Sequence, residues 1–189
     1  MKLDLVNQEF DVWEIKSFLD IDECNYLINF SEKVNFPISR VDSQEVLNKI
    51  NPEKNNFVDR ELKRLVIDNN DIAVIIWERL PKEISLLKSG NFTPSSVNSE
   101  IRIYKYLEDD EFKEHFDSRC TISNSEMSFY SILIYLNDEF KGGETSFKTF
   151  QVLPEVGKLV MFPHKLLHAG QKVINGTKYI LRTDLILKE

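Results

Sequence analysis

The first part of the chain carries apolar residues at helical spacing. In residues 17–34 an apolar stripe begins at Ile21 and continues through Cys24 and Leu27, with a period near 3.6. Asp20, followed three positions later by Glu23, resembles a capping box in which Asp is the cap. The pattern therefore predicts an amphipathic helix that starts at this pair.

A second helix is predicted in residues 69–80, where Asn70 can cap the helix and Pro81 stops it. This segment is apolar nearly all round, so we expect it to be buried against a sheet. Residues 51–68 are predicted to form a loop that leads into a short strand, and the turn-rich residues 89–100 a loop. The first half, about residues 1–88, is thus expected to be largely helical.

From Ile101 onward the apolar runs become short and rich in β-branched and aromatic residues. Strands are predicted in residues 101–107, 128–136, 151–154, 158–162 and 177–187, with turn residues between them. Asn175-Gly176 is the strongest hairpin signal among these turns. Many short strands with tight turns favour an α+β fold, in which a jelly roll of about residues 100–187 carries the N-terminal helices on one face.

Composition narrows the classes of function. The 189 residues fit a single domain, 1–189, that can bury a substantial core. A net charge of −7 argues against a nucleic-acid partner, because phosphate binding depends on Lys and Arg clusters. We find neither an apolar run of membrane-spanning length nor a secretory signal. Cys24 and Cys120 show no metal-type spacing, so we expect free thiols and a cytoplasmic location.

His115-Phe116-Asp117 is the main candidate for chemistry in a chain with three histidines. Side chains two apart in a strand leave from one face, so His115 and Asp117 could bind one metal ion. The alternative is a solvated strand end without a ligand. Either His164 or His168 could supply a third ligand, and two histidines with one carboxylate suit non-haem Fe(II).

These residues resemble the Fe(II)- and 2-oxoglutarate-dependent oxygenases of the prolyl 4-hydroxylase type. The resemblance extends through SFLDIDECNYLI, IRIYKYLEDDEFKEHFD, ILIYLNDEFKGGETSF and PEVGKLVMFPHKLLHAGQKVINGTKYILRTDLIL, and it covers residues 15–187. It implies a double-stranded β-helix with supporting helices. It also implies that His115, Asp117 and His168 are the catalytic iron ligands.

The resemblance implies further roles in binding 2-oxoglutarate. Lys178, ten positions after His168, would pair with the far carboxylate, with help from the Tyr135 hydroxyl, and Tyr106 would line the pocket. Arg102 and Thr145 are weaker candidates. The implied cofactors are Fe(II), 2-oxoglutarate and O2, with ascorbate as an optional addition.

The implied reaction is hydroxylation of an unactivated carbon, coupled to decarboxylation of 2-oxoglutarate to succinate. The expected substrate is a prolyl or other peptidyl residue, with a free amino acid or small metabolite as the alternative. A catalytically silent jelly-roll binding module is the alternative from a different class. The sequence does not indicate an oligomeric state.

Two details of the sequence bear on the histidine assignment. Ala169 follows His168 where members of this family often carry Glu. A strict two-residue turn at Asn175-Gly176 would set His168 opposite Thr183, and would place His168 and Lys178 on different layers. Either a bulge near Gly170 corrects this register, or His168 lies outside the ladder.

His164 is the rival third ligand. Lys178 lies fourteen positions after it, a spacing that some oxygenase families use. His168 would in turn lie fourteen positions before Arg182, which we interpret as a supporting charge. The sequence context on both sides of His168 and Lys178 resembles the prolyl hydroxylases, and we therefore favour His168.

Overall fold

A computed structural model describes residues 2–34, 36, 38–40 and 61–189 of the chain. Its helices are α1 (Ile21–Val34), α2 (Asn70–Arg79) and a 3-10 helix (Lys82–Leu86). The strands before residue 110 are β1 (Asp4–Asn7), β2 (Val12–Ile15), β3 (Ile38–Arg40), β4 (Glu61–Asp68), β5 (Thr93–Val97) and β6 (Glu100–Tyr106). The later strands are β7 (Phe112–His115), β8 (Thr121–Ser123), β9 (Glu126–Tyr135), β10 (Lys141–Gly142), β11 (Thr145–Phe147), β12 (Gln151–Val152), β13 (Leu159–Pro163), β14 (His168–Gly170), β15 (Val173–Asn175) and β16 (Lys178–Lys188).

Helix α1 begins with the predicted capping box. The Glu23 backbone N–H donates to Asp20 Oδ1 at 2.8 Å, and the Asp20 N–H donates to Glu23 Oε2 at 3.0 Å. Cys24 and Leu27 are buried as expected, but Ile21 is exposed. The first turn of the apolar stripe is therefore not part of the core.

Helix α2 matches its predicted extent, with two corrections. Asn69 rather than Asn70 is the cap, and its side chain accepts a hydrogen bond from the Ile72 N–H. The helix is buried on one side only, through Ala73 and Ile76, while Val74 and Ile75 lie in solvent.

The first half of the chain is less helical than predicted. Strands β1 and β2 form a hairpin, and β2 continues onto β13. Strand β4 confirms the short strand predicted at the end of the segment 51–68 and pairs with β6, while the rest of that segment lies outside the described residues. Strand β5 lies inside the segment 89–100 that was expected to be a loop, and it pairs with β16. The strands that were not predicted, β1, β2 and β5, form because distant partner strands supply hydrogen bonds, a contribution that local pattern does not reveal.

The strands form two main sheets. The larger sheet has the order β1-β2-β13-β9-β16-β6-β4-β3, with β5 also paired to β16 and β8 to β9. The smaller sheet has four strands in the order β12-β11-β14-β7, and β10 and β15 form a separate pair. Strand β16 is central because it pairs with both β6 and β9.

The larger sheet buries apolar side chains on both faces. One face packs against the helices and includes Ile103, Ile132 and Ile134. The other face contributes Leu133 and Tyr135, the alternate residues of β9, to a second core that also contains aromatic residues of the smaller sheet. The helices thus lie on one face, and the functional candidates lie at the other.

The predicted hairpin at Asn175-Gly176 is wrong. Strand β15 pairs with β10, whereas β16 pairs with β6, β9 and β5, so this turn carries the chain from one pair of strands to the larger sheet. Thr183 lies opposite Ile132 and not opposite His168. Gly176 still supplies the positive φ, +91°, that the turn needs.

No helix in the described part of the chain combines the length and the apolar character that a bilayer crossing requires. Cys24 and Cys120 are free thiols, as the sequence predicted.

Candidate active site

The two candidate histidines lie on neighbouring strands of the smaller sheet. His115 ends β7 and His168 begins β14, and these residues are direct cross-strand partners. Their ring centroids are 4.3 Å apart. The register of this pair shifts between His168 and Gly170, so the irregularity suspected near Gly170 exists, but it lies against β7.

Asp117 completes the group from just beyond the end of β7. Its carboxylate Oδ1 is 3.6 Å from His115 Nε2, and its Oδ2 is 3.5 Å from His168 Nε2. One ligand atom from each of the three residues lies within 4.8 Å of the others. Among the residues that the structure describes, this is the one group of three or more potential metal-ligating side chains.

Hydrogen bonds to the backbone set the tautomer of both histidines. Nδ1 of His115 is 2.8 Å from the Lys113 carbonyl oxygen, and Nδ1 of His168 is 2.9 Å from the Leu166 carbonyl oxygen. Because a carbonyl oxygen only accepts, each Nδ1 carries the proton. Each Nε2 therefore presents a lone pair toward Asp117, which is the arrangement of a metal-binding imidazole.

The charges of the site also suit a metal ion. Burial lowers the pKa of His168 to about 4, so its ring is neutral near pH 7. Burial by itself would raise the pKa of Asp117, but the Arg182 guanidinium beside it holds the pKa well below its usual range. Two imidazoles and an ionised carboxylate are a donor set that fits Fe(II).

Ser131 and Arg182 contact the outer side of the Asp117 carboxylate. The Ser131 hydroxyl donates to Oδ2, and Arg182 Nη2 lies 3.0 Å from Oδ1. Ser131 was not predicted as a site residue, although a hydroxyl within the apolar run of β9 could have indicated it. Arg182 matches the supporting charge that was expected.

His164, the rival third ligand, lies beneath this group with both ring nitrogens engaged. Nδ1 is 2.9 Å from the Ser131 Oγ, and Nε2 is 2.8 Å from the Ser128 Oγ. Its side chain is buried, and burial lowers its pKa to about 4. The structure thus leaves no ring nitrogen of His164 directed at the group of His115, Asp117 and His168.

We expect His164→Ala to retain a divalent metal ion while losing stability. The change leaves the hydroxyls of Ser128 and Ser131 without a ring partner, so the free energy of unfolding should fall by about 1–3 kcal/mol. Chemical denaturation and metal stoichiometry measure the two effects. A folded His164→Ala protein without its metal ion, beside a His168→Ala protein that keeps it, would reverse the histidine assignment.

Lys178 is the first residue of β16, and its side chain leaves the same face of the strand as that of Arg182. It is buried, and its Nζ donates to the Gly143 carbonyl oxygen at 2.6 Å. Burial lowers the pKa of Lys178 to about 7, with Glu144 as the opposing charge. Within the described residues no carboxylate forms an ion pair with Lys178. An ammonium group in this position is suited to an anionic ligand.

Two tyrosines enclose the ammonium group. Lys178 Nζ lies 5.0 Å from the ring centre of Tyr106 and 5.6 Å from that of Tyr135. The Tyr135 hydroxyl is 2.6 Å from Thr145 Oγ1, so in this structure Tyr135 faces Lys178 with its ring. The structure thus brings Tyr106, Tyr135 and Thr145 together with Lys178, and their part in binding 2-oxoglutarate stays a prediction.

The Gly142-Gly143 turn allows this close packing. A Cβ atom on Gly143 would lie 3.0 Å from Lys178 Cδ and 2.9 Å from Phe140 Cε2, and the φ of Gly143 is +70°. Glycine therefore lets the backbone carbonyl approach the lysine.

Arg102, another weak candidate for 2-oxoglutarate binding, is instead paired with Asp184 and Glu100.

Comparison with known sequences agrees with this geometry. The family described as the 2OG-Fe(II) oxygenase superfamily matches residues 101–183. A curated protein of Acanthamoeba polyphaga mimivirus, named "Putative prolyl 4-hydroxylase", is 27% identical over 133 residues, which cover 59% of this chain and 52% of that protein. The chain spans about half the length of this curated relative.

Solved structures with the same fold include three prolyl hydroxylases. A viral collagen prolyl hydroxylase from Paramecium Bursaria Chlorella virus-1, in complex with 2OG, has a TM-score of 0.64 and 19% identity, over 94% of this chain and 96% of that chain. A Pseudomonas putida prolyl-4-hydroxylase has a TM-score of 0.56 and 15% identity, over 93% and 92%. A Trichoplax adhaerens prolyl hydroxylase, in complex with a hypoxia inducible factor peptide fragment, has a TM-score of 0.61 and 13% identity, over 92% and 82%.

The fold is therefore the predicted double-stranded β-helix with supporting helices. The sequence matches confirm the resemblance found in the sequence, because residues 101–183 match the 2OG-Fe(II) oxygenase superfamily and part of the chain is similar to a putative prolyl 4-hydroxylase.

Proposed function

We propose that the chain is a single-domain Fe(II)- and 2-oxoglutarate-dependent dioxygenase that hydroxylates an unactivated carbon. The observation that carries the proposal is the placement of two groups along one face of β16. At one end of this face Arg182 contacts Asp117, which lies beside His115 and His168, and four residues away stands the buried Lys178. A group suited to a metal ion and a group suited to an anion thus lie along the same face.

His115, Asp117 and His168 are the proposed iron ligands. Three protein ligands leave positions open for a cosubstrate and O2, whereas a structural zinc site is closed by a fourth protein ligand. The backbone hydrogen bonds of both histidines hold Nε2 toward the carboxylate before any ion binds. This arrangement supports a preorganised site.

Lys178 is the proposed partner of the far carboxylate of 2-oxoglutarate. Arg182 is the other cation on this face of β16, but it is already paired with Asp117 and Asp184. Lys178 has a carbonyl and two aromatic rings as its neighbours, so a carboxylate would complete its surroundings. The two cations are four residues apart on β16, about 13 Å along the strand. This separation suits a diacid that also reaches the metal group.

When bound, iron and 2-oxoglutarate supply the oxidation of a carbon–hydrogen bond by O2, coupled to decarboxylation of the cosubstrate. The protein residues bind and orient these groups and keep water out. Asp117 and the two histidines fix the metal position, and Lys178 fixes the far end of the cosubstrate. The Tyr106 and Tyr135 rings keep the environment of Lys178 dry, which strengthens its pairing with an anion.

A prolyl or other peptidyl residue is the proposed substrate. Support comes from the name of the mimivirus relative and from the peptide bound to the Trichoplax structural neighbour. Access is available on one side, since the His115 side chain is 26% exposed and the neighbouring Phe116 is 52% exposed. Ascorbate as an accessory reductant, a cytoplasmic location and the absence of a nucleic-acid partner are parts of the same proposal.

A turnover assay tests the reaction class before the substrate is known. Purified protein with Fe(II), ascorbate and 2-oxoglutarate should release succinate, and His115→Ala protein should not. A screen of proline-containing peptides and free amino acids, read by the mass gain of one oxygen atom, then distinguishes the two substrate classes. Absence of succinate from the iron-loaded chain with every peptide and amino acid would favour the silent binding module.

The affinity for 2-oxoglutarate should fall as pH rises from about 6 to about 9. The pKa of Lys178 in the free protein is lowered to about 7, so the side chain is charged below this pH and neutral above it. Only the charged form attracts the dianion, and binding at high pH must therefore take up a proton. Titration of 2-oxoglutarate into the anaerobic Fe(II) protein at several pH values measures this dependence. An affinity that is constant across the range would argue against pairing with Lys178.

A further inference from the structure

A chain of alternating charges runs behind the Asp117 carboxylate. Arg182 Nη2 is 3.0 Å from Asp117 Oδ1 and 3.4 Å from Asp184 Oδ1. Arg102 Nη1 lies 3.2 Å from Asp184 Oδ2, and Arg102 also pairs with Glu100 near the surface. The order from the site outward is therefore carboxylate, guanidinium, carboxylate, guanidinium and carboxylate.

Contacts from the protein reach both oxygens of Asp117. Arg182 approaches Oδ1, while the Ser131 hydroxyl donates to Oδ2. Each carboxylate oxygen can accept more than one contact, so lone pairs remain on the side that faces His115 and His168. The contacts of Arg182 and Ser131 thus fix the plane of the carboxylate without taking the position of the metal ion.

Asp184 holds the guanidinium of Arg182 in place. Its side chain is 1% exposed, and it also accepts a hydrogen bond from Asn98 Nδ2 at 3.4 Å. Arg182 Nε is buried and finds no hydrogen-bond acceptor among the described residues. Burial of this donor costs free energy, so the position of Arg182 is explained by its two carboxylates and not by complete hydrogen bonding of its own.

We infer that Arg182 is a positioning residue for Asp117, and that Asp184 in turn positions Arg182. The inference rests on the proposed function, since it assumes that Asp117 binds a metal ion. Nη2 of the Arg182 guanidinium reaches Asp117 and Asp184 at once, and the planar guanidinium differs in shape from the compact ammonium of a lysine. Without Arg182, only the Ser131 hydroxyl holds the carboxylate from this side, and the carboxylate can rotate away from the two histidines more easily.

Mn(II) affinity of the purified chain is the direct test. Residues that only orient a ligand typically change metal affinity by ~10- to 100-fold when removed, and we expect this loss for Arg182→Met. Arg182→Lys retains the charge and should recover part of the affinity. Arg102→Met is the matched control, because Arg102 contacts Asp184 but has no contact with Asp117. Its Mn(II) affinity should equal that of the wild type.

A spectrum separates positioning from a loss of structure. The Co(II)-loaded Arg182→Met protein should show altered visible absorption bands, because a displaced carboxylate changes the coordination geometry. Circular dichroism should show that the fold is retained. If Arg182→Met does not fold, Asp184→Asn has nearly the same shape and should give a smaller loss of Mn(II) affinity in the same direction.

The outcomes distinguish this inference from the proposed function. Wild-type protein without a Mn(II) site that depends on His115 would overturn both. A His115-dependent site with unchanged affinity and Co(II) spectrum in folded Arg182→Met or Asp184→Asn protein would overturn the inference alone. An equal loss of affinity in Arg102→Met would also overturn it, because the effect would then follow from charge or stability and not from contact with Asp117.

Discussion

Replacement of His115 or Asp117 by alanine is expected to abolish iron binding. Turnover of 2-oxoglutarate should be lost as well. Each variant removes one of three proposed protein ligands. The loss of affinity should therefore exceed the ~10- to 100-fold effect of removing a residue that only orients a ligand. Iron stoichiometry by elemental analysis and succinate release measure the two losses on the same preparation.

The fold should survive the His115 change better than the Asp117 change. His115 is partly exposed at a strand end, whereas Asp117 balances the charge of the largely buried Arg182. Asp117→Asn retains the size of the side chain and is the matched companion of Asp117→Ala. His168→Ala should behave as His115→Ala does, while His164→Ala keeps its metal ion. Iron content and activity at the wild-type level in the His115 variant would refute the ligand assignment.

Removal of the Lys178 charge is expected to raise the apparent Michaelis constant for 2-oxoglutarate by about a hundredfold. Loss of one partner of a buried ion pair costs about 3 kcal/mol, and about 1.4 kcal/mol corresponds to a factor of ten. Iron binding should be nearly unchanged, because Lys178 is remote from the metal group. Lys178→Ala measured with saturating Fe(II) gives the size of the effect.

Lys178→Met separates the charge from the packing. Methionine fills a similar volume without placing an unpaired ammonium group in the core. The free energy of unfolding of the ligand-free variant should therefore increase, while its affinity for 2-oxoglutarate falls. A variant that is more stable without ligand but binds 2-oxoglutarate more weakly would show that the charge of Lys178 serves ligand binding and not folding. Thermal unfolding with and without 2-oxoglutarate measures both changes.

Arg182→Lys is the control for the identity of the anchor. It keeps a positive charge beside Asp117 and Asp184, so it should affect 2-oxoglutarate less than Lys178→Ala does. Lys178→Arg should be milder than alanine but not neutral, since the guanidinium is longer and planar. The opposite ranking, with 2-oxoglutarate lost in the Arg182 variant and kept in the Lys178 variant, would move the anchor to Arg182.

Local pattern was sufficient for the elements whose stability is local. The Asp20 and Glu23 capping box is encoded within four residues, and the apolar runs of β9 and β16 are long enough to be recognised alone. The pairing of His115 with Asp117 also follows from spacing, because two residues cannot separate far along an extended chain. The resemblance of the motifs then indicated His168 and Lys178.

Only the tertiary structure decided which distant strands lie side by side. It placed His168 opposite His115, and it separated β15 from β16 although Asn175-Gly176 is a strong hairpin signal. The contact of Arg182 with Asp117 likewise depends on the packing of β16 beneath the end of β7. Sequence pattern determined the types of element and the chemistry available. The register between strands, which brings that chemistry together, results from burial and pairing over the whole chain.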